Sequence, residues 1–188
     1  MPAALVAAAA PAAALPTWWT AFLRQPAFRA RFTQDSESAV FGTVQRQGTL
    51  AVARGGRLRA AYDRGLVLVA DGRDLVQYDP DTRTAQRWDL RAARSEVPLL
   101  ALLMDPASVS AHFTLKPLDG GRLRLQPRRK DLPEVDLQGQ GLTPTVLSWI
   151  DPSGARQVLR FTGIASGEAE PSAFRFDPPA GTRWIGAR

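Results

Sequence analysis

Apolar and polar positions alternate with period two along most of this chain, which predicts strands rather than helices. Phe28, Ala30 and Phe32 share one side of a run while Arg29, Arg31 and Thr33 take the other. That is a strand with one wet face. Asp35–Ser38 is polar and reads as a turn. Val40–Val44, Gly48–Arg54 and Arg57–Tyr62 follow as short strands punctuated by Gln47-Gly48 and Gly55-Gly56. The centre of the pattern is Leu66–Pro80, two β-rich runs flanking Asp71-Gly72. Asp-Gly suits a type I′ turn, so this stretch predicts an antiparallel hairpin, closed by Asp79-Pro80. Its first strand is apolar on both faces, which a sheet wetted on one side does not need, so one face is expected to pack on something other than an ordinary core.

Further strands are expected at Thr84–Trp88, Ala111–Leu115, Gly121–Gln126, Val135–Gln138, Pro144–Ile150, Arg156–Phe161 and Ala173–Phe176. Two stretches break the alternation. In Thr17–Pro26, Trp18, Ala21 and Phe22 fall at i, i+3, i+4, giving a short helix with Thr17 as N-cap. Glu96–Met104 is nearly all apolar and reads as a short buried helix with Pro98 in its first turn, after a charged connection at Arg91–Ser95. Short strands joined by short turns predict an antiparallel meander, and the two apolar helices are placed to cover it.

The first fifteen residues are small and apolar. The run is too short to span a membrane. Two readings stay open for residues 1–15: a signal-peptide remnant, or a disordered Ala-rich tail without the usual basic start. Residues 16–188 are expected to form one domain, long enough to bury a core without disulfides or metal. There is no cysteine, which removes disulfides, thiolate metal sites and cysteine nucleophiles. The net charge is +6, and all basic residues except Lys116 and Lys130 are arginine. They are scattered and do not interleave with aromatics, so no nucleic-acid partner is expected.

Candidate chemistry is sparse. His112 is the only histidine and sits on an expected strand. No metalloprotease, nucleophile-elbow, P-loop or dinucleotide motif occurs. Asp71, Asp74, Asp79 and Asp81 cluster at the hairpin, but Asp at turns is explained by hydrogen bonds to nearby backbone. The expectation is a protein without catalytic residues, metal or cofactor. An apolar concavity between sheet and helices is the remaining site.

The order of motifs resembles the LolA family, periplasmic carriers of outer-membrane lipoproteins. Phe28-x-Ala-x-Phe32-Thr33-Gln34 is like that family's F-x-A-x-F-T-Q strand. Gly48-Thr-Leu50 through Arg54, then Gly55-Gly56-Arg57-Leu58-Arg59-Ala60-Ala61-Tyr62, is similar to G-x-L-x-x-x-R-P-G-x-F-R-W-x-Y. Val69-x-Asp71-Gly72-x-x-Leu75-x-x-Tyr78-Asp79-Pro80 resembles V-S-D-G-x-x-L-W-x-Y-D-P. Val97-Pro98-Leu99-Leu100 stands in place of P-x-x-L-L, and Phe174-x-Phe176-x-Pro178-Pro179-x-Gly181 matches F-x-F-x-P-P-x-G. Gly55 replaces the family's proline, Leu58 its phenylalanine and Ala60 its tryptophan, which thins the aromatic lining.

The resemblance implies a mainly β fold with a short helical lid: an incomplete, half-open antiparallel β-barrel over an apolar cavity. It implies a monomeric carrier that takes acylated lipoproteins from an inner-membrane lipoprotein-releasing ABC transporter and passes them to an outer-membrane acceptor. On this reading Trp18, Leu50, Val52, Leu58, Val69, Leu75, Leu99, Leu100 and Leu103 line or cap the cavity. Arg54 would bond lid-helix carbonyls and act as a lid switch. The alternatives of the same fold are a lipid-sensing regulatory module and a carrier of a different lipid.

Overall fold

Residues 28–37 pair with residues 156–166, and this contact between the ends of the chain organises the sheet. The computed structural model describes residues 14–40, 42–96, 102–167 and 169–186. The Ala-rich run therefore lies almost wholly outside the described residues. Helix α1 (Thr17–Arg24) leads into β1 (Ala27–Ser38), β2 (Gly42–Ala53), β3 (Arg57–Tyr62), β4 (Val67–Asp71), β5 (Asp74–Asp79) and β6 (Thr84–Asp89). Helix α2 (Leu90–Glu96), a helical stretch at 102–104 and helix α3 (Val109–His112) follow. The rest is β7 (Phe113–Leu118), β8 (Arg122–Pro127), β9 (Val135–Gln140), β10 (Thr143–Ile150), β11 (Arg156–Ser166) and β12 (Arg183–Ile185).

All twelve strands form one sheet in the order β12-β6-β5-β4-β3-β2-β1-β11-β10-β9-β8-β7. Its ends, β12 and β7, do not pair, so the barrel is open, as the family resemblance implies. Every pairing is antiparallel except β12 with β6. Laid flat, twelve strands would span roughly 50 Å. One face nevertheless builds a single apolar cluster that includes Leu75 of β5, Phe32 of β1 and Leu125 of β8. The sheet must curl around that face, and α1 and residues 102–104 fill the concavity: Trp18, Trp19, Phe22, Leu102, Leu103 and Met104 are buried in the same cluster.

Several local expectations are corrected. Asp35–Ser38 is not a turn but the end of β1. Its polar side chains are satisfied across the strands, with Gln157 donating to Ser36 Oγ at 2.7 Å and Gln34 Nε2 donating to Gln157 at 3.2 Å. The separate strands at Val40–Val44 and Gly48–Arg54 are one strand, β2. Arg91–Ser95 is helical, because Asp89 Oδ1 caps the Arg91 and Ala92 N–H groups at 2.8 and 3.2 Å. This helix buries Leu90 and Ala93, three residues apart on one side. The expected Glu96–Met104 helix falls partly outside the described residues, at 97–101, and 102–104 is helical.

The central hairpin is present, but Asp71-Gly72 is not a type I′ pair. Only Gly72 has positive φ there, at +103°, while Asp71 Oδ1 accepts the Arg73 and Asp74 N–H groups, each at 2.8 Å. His112 ends α3 rather than lying on a strand. Ala173–Phe176 is not a strand: Pro171 opens a 3-10 turn over Pro171–Phe174. The last strand, β12, lies beyond the Pro178-Pro179 pair.

The segment after β11 covers the convex face. Phe174 packs with Ala27 and Ala53, and Arg57 lies over its ring at 5.5 Å. Arg59 donates to the Arg175 carbonyl at 3.3 Å, and Tyr78 meets Phe176 at 5.5 Å. The hairpin strand β4 is thus covered on both faces, by the core on one side and by this C-terminal strap on the other.

Candidate functional site: the apolar concave face

The concave face is assembled by strand parity. Phe28 and Ala30 of β1 stand opposite Val52 and Leu50 of β2. Those two face Leu58 and Ala60 of β3, which face Ala70 and Leu68 of β4, and Ala70 faces Leu75 of β5. Small residues at 60 and 70 alternate with leucines, so the surface undulates instead of filling uniformly. On the other side of β1 the face continues through Phe161, Leu147, Leu137, Leu123 and Leu125. These were not singled out in the sequence, although the alternation of Leu123 and Leu125 with Arg122 and Arg124 signals it.

Of the residues expected at the cavity, Trp18, Leu50, Val52, Leu58, Leu75 and Leu103 belong to this one cluster. Leu99 and Leu100 lie outside the described residues. Val69 is a correction. It alternates with Ala70, so it projects from the opposite, convex side, between Arg59 and Val76. The C-terminal turn at Pro171–Phe174 packs against β4, and Val69 is not part of the concave core cluster. The error has a simple cause: both faces of β4 are apolar, so composition could not say which one faced inward.

α1 is the main roof. Its aromatic residues run into the sheet as a chain of ring contacts: Trp18 to Trp19 at 5.9 Å, Trp19 to Phe22 at 6.0 Å, Phe22 to Phe28 at 6.0 Å, and Phe28 to Phe161 at 6.4 Å. Trp18 Nε1 donates to the Gly121 carbonyl at 2.7 Å. Trp19 Nε1 is buried and, among the described residues, has no hydrogen-bond partner. An orphaned buried donor costs about 1–3 kcal/mol, so the seat of α1 includes a penalty that leaving it would relieve.

Arg54, just past β2, ties the roof down. Its Nη1 donates to the Leu103 carbonyl at 3.3 Å and its Nη2 donates to the Phe22 carbonyl. Its guanidinium also lies over the Phe22 ring at 5.1 Å. Phe22 is in the last turn of α1, at the negative end of the helix dipole, and its carbonyl also accepts the Gln25 N–H at 3.1 Å. One side chain therefore joins two separate pieces of roof to the sheet. Arg54 is half-buried; desolvation lowers its pKa, and the charge of Asp105 opposes that shift. The guanidinium stays charged.

The face changes character away from Arg54. After Phe32, the inward positions of β1 become Gln34 and Ser36. Tyr62 closes the apolar part: its ring meets Phe32 edge-on at 5.0 Å and its hydroxyl donates to Gln34 Oε1 at 3.1 Å. Burial raises the Tyr62 pKa, with Arg46 acting against it. The hairpin carboxylates serve the backbone: Asp79 accepts from the Asp81 N–H at 2.9 Å, as Asp71 does in its own turn. Among the described residues there is no metal-binding group of carboxylates and histidine.

The architecture is thus a twelve-stranded open sheet with an apolar concave face and a helical roof. The family model described as outer membrane lipoprotein carrier protein LolA matches residues 25–177, and the chain belongs to this family. Among its relatives, the outer-membrane lipoprotein carrier protein of Pseudomonas entomophila (strain L48) is 31% identical over 162 residues, 81% of this chain and 78% of that protein. The outer-membrane lipoprotein carrier protein of Bordetella pertussis (strain Tohama I) is 29% identical over 161 residues, 80% of this chain and 75% of that protein. A crystal structure of an uncharacterized conserved protein from Thermus thermophilus shares the fold with a TM-score of 0.54 at 10% identity, over 89% of this chain and 96% of that one. Among the described residues no helix is long and apolar enough to cross a membrane.

Proposed function

We propose that the protein works in the periplasm as a monomeric carrier. It accepts acylated lipoproteins from an inner-membrane releasing transporter, holds their acyl chains against the concave face, and delivers them to an acceptor at the outer membrane. The observation that carries this reading is the latch. Arg54 bonds one carbonyl of α1 and one of residues 102–104 above an apolar surface. Charge-assisted hydrogen bonds of this kind contribute about 1.5–3 kcal/mol each. Each acyl methylene buried contributes about 0.8 kcal/mol. A few methylenes therefore offset the two latch bonds, and the rest of the acyl chain replaces the apolar burial of the roof side chains it displaces, so the roof recloses once the lipid has gone. Leu50, Val52, Leu58 and Leu75 would then line the vacated space, with Trp18 and Leu103 moving outward.

The test is a transfer assay. Purified protein is incubated with vesicles bearing the transporter and a triacylated lipoprotein, and the soluble fraction is assayed for lipoprotein. A soluble one-to-one complex that then donates its lipoprotein to outer-membrane vesicles is expected. Absence of both the complex and any binding of a fluorescent fatty acid would refute the reading.

A further inference from the structure

β2 is paired along its whole length on one side and only half of it on the other. Toward β1 the register runs from Ala53 to Gly42. Toward β3 it ends at Gly48 opposite Tyr62. The chain turns away there, with the Asp63 N–H donating to the Gln47 carbonyl at 3.0 Å and the Tyr62 N–H to the Leu66 carbonyl at 2.9 Å. Residues 42–47 are left as an exposed strand edge. Backbone groups alternate in direction along a strand. Since the Gln47 carbonyl faces Asp63, the N–H and C=O groups of Gln45 and Thr43 also point away from β1. Among the described residues nothing bonds to them.

The two terminal edges of the sheet are guarded in ordinary ways. β12 is three residues long, and β7 contains Lys116 and Pro117. The open half of β2 has neither lysine nor proline, and its register with β1 is unbroken. Val44 is 48% exposed, and Val40 at the hairpin end is 80% exposed. An unguarded edge is a template for another strand. Facing this edge, Tyr62, Asp63, Arg64, Leu66 and residues 79–81 form the opposite wall of a groove of about 450 Å³, and residues 44–47 of β2 line its near wall.

The position of this edge names its occupant. The inward side of β2 reads Val52, Leu50, Gly48, and then Arg46 and Val44. The apolar surface thus stops where the open edge starts. At the other end Arg54 ties the roof shut. On the carrier reading, polypeptide attached to acyl chains on the apolar surface would leave through the open end. Building on the carrier reading, we infer that the open half of β2 receives the extended segment following the acylated residue of the cargo, as an added strand. Strand addition is driven by main-chain hydrogen bonds. It would hold cargo of many sequences equally, while the groove shields the first residues from solvent.

The test uses a synthetic triacylated cysteine followed by six uncharged residues, the same lipopeptide with alternate backbone nitrogens methylated, and a fluorescent fatty acid. Gln45→Pro removes an outward N–H without touching the β1 ladder. Gln45→Ala keeps that N–H and loses only the side-chain bond to Asp35. Gln45→Pro is expected to weaken lipopeptide binding by about tenfold, N-methylation of the lipopeptide to do the same, and Gln45→Ala to do neither. Fatty-acid affinity stays equal in all three proteins, which also reports that Gln45→Pro is folded. Bound lipopeptide, but not fatty acid, protects the Thr43 and Gln45 amides from hydrogen exchange. Equal lipopeptide affinity in Gln45→Pro and wild type overturns the inference and leaves the carrier reading intact. So does a dimer of the free protein that protects those same amides, because a second copy is then the occupant. Failure of the wild type to bind even the fatty acid overturns both.

Discussion

The indole of Trp18 rests directly on the backbone of Gly139: a Cβ built on that glycine would lie 2.1 Å from Trp18 Cδ2. No side chain fits between roof and sheet at this point. Gly139→Ala must push α1 outward and strain the bond from Trp18 to the Gly121 carbonyl. Overpacking of this kind costs about 1–3 kcal/mol. A lower urea midpoint and red-shifted tryptophan emission are expected. A variant with unchanged emission would mean that the roof seats elsewhere.

Arg54→Leu removes both bonds to the roof. It is expected to accept lipoprotein at least as well as the wild type and to pass it on poorly, because nothing recloses the empty face. Arg54→Lys should be intermediate, keeping the charge and losing the planar fork. A three-component transfer assay reads the difference. Forward transfer at the wild-type rate by Arg54→Leu would reduce Arg54 to an ordinary strand-end arginine.

The two faces of the sheet predict opposite phenotypes for equally buried residues. Phe174→Ala empties the convex cluster and should cost about 3 kcal/mol, while leaving fatty-acid affinity unchanged. Leu58→Ala, on the concave face, should cost a similar amount and also change that affinity. Val69→Ala should behave like Phe174→Ala. Denaturant melts paired with fluorescent fatty-acid titrations decide it, and altered affinity in Val69→Ala would reverse the face assignment.

Acid sensitivity has a specific source on the convex face. Hydrogen bonds from Arg124, at 2.7 and 2.8 Å, lower the Asp136 pKa against the opposing effect of partial burial. A carboxylate whose folded pKa is depressed stabilises the protein fully above its unfolded value, about 3.9. That contribution declines as the pH falls through this range and is gone below the folded pKa. Asp136→Asn should therefore melt below the wild type at pH 7, and the gap should shrink toward pH 3. A gap independent of pH would show that Asp136 ionisation contributes nothing.

Strand positions were legible because half-buried strands write their burial as period two, and Arg57–Tyr62 was readable to the residue. The roof residues on α1 were legible too, since two tryptophans on so short a helix need a large apolar surface. Three features were hidden for physical reasons. The Asp35–Ser38 end of β1 is polar because its side chains bond across strands, a pattern that local sequence renders as a turn. α2 was masked by its arginines, although Asp89 before Leu90 is a regular capping signal. Val69 shows the deeper limit: when both faces of a strand are covered, alternation no longer tells inside from outside. The open edge of β2 had no signal, because an unpaired edge depends on where a neighbouring strand stops.

The pairing of β1 with β11 also sets the order in which the chain can fold. Phe32 meets Phe161 across that seam, so β1 must wait until nearly the whole chain has emerged. Until then its phenylalanines have β2 on one flank and an open flank on the other. Contacts this distant in sequence slow folding, and a protein delivered N-terminus first spends that interval with an apolar strand unsealed.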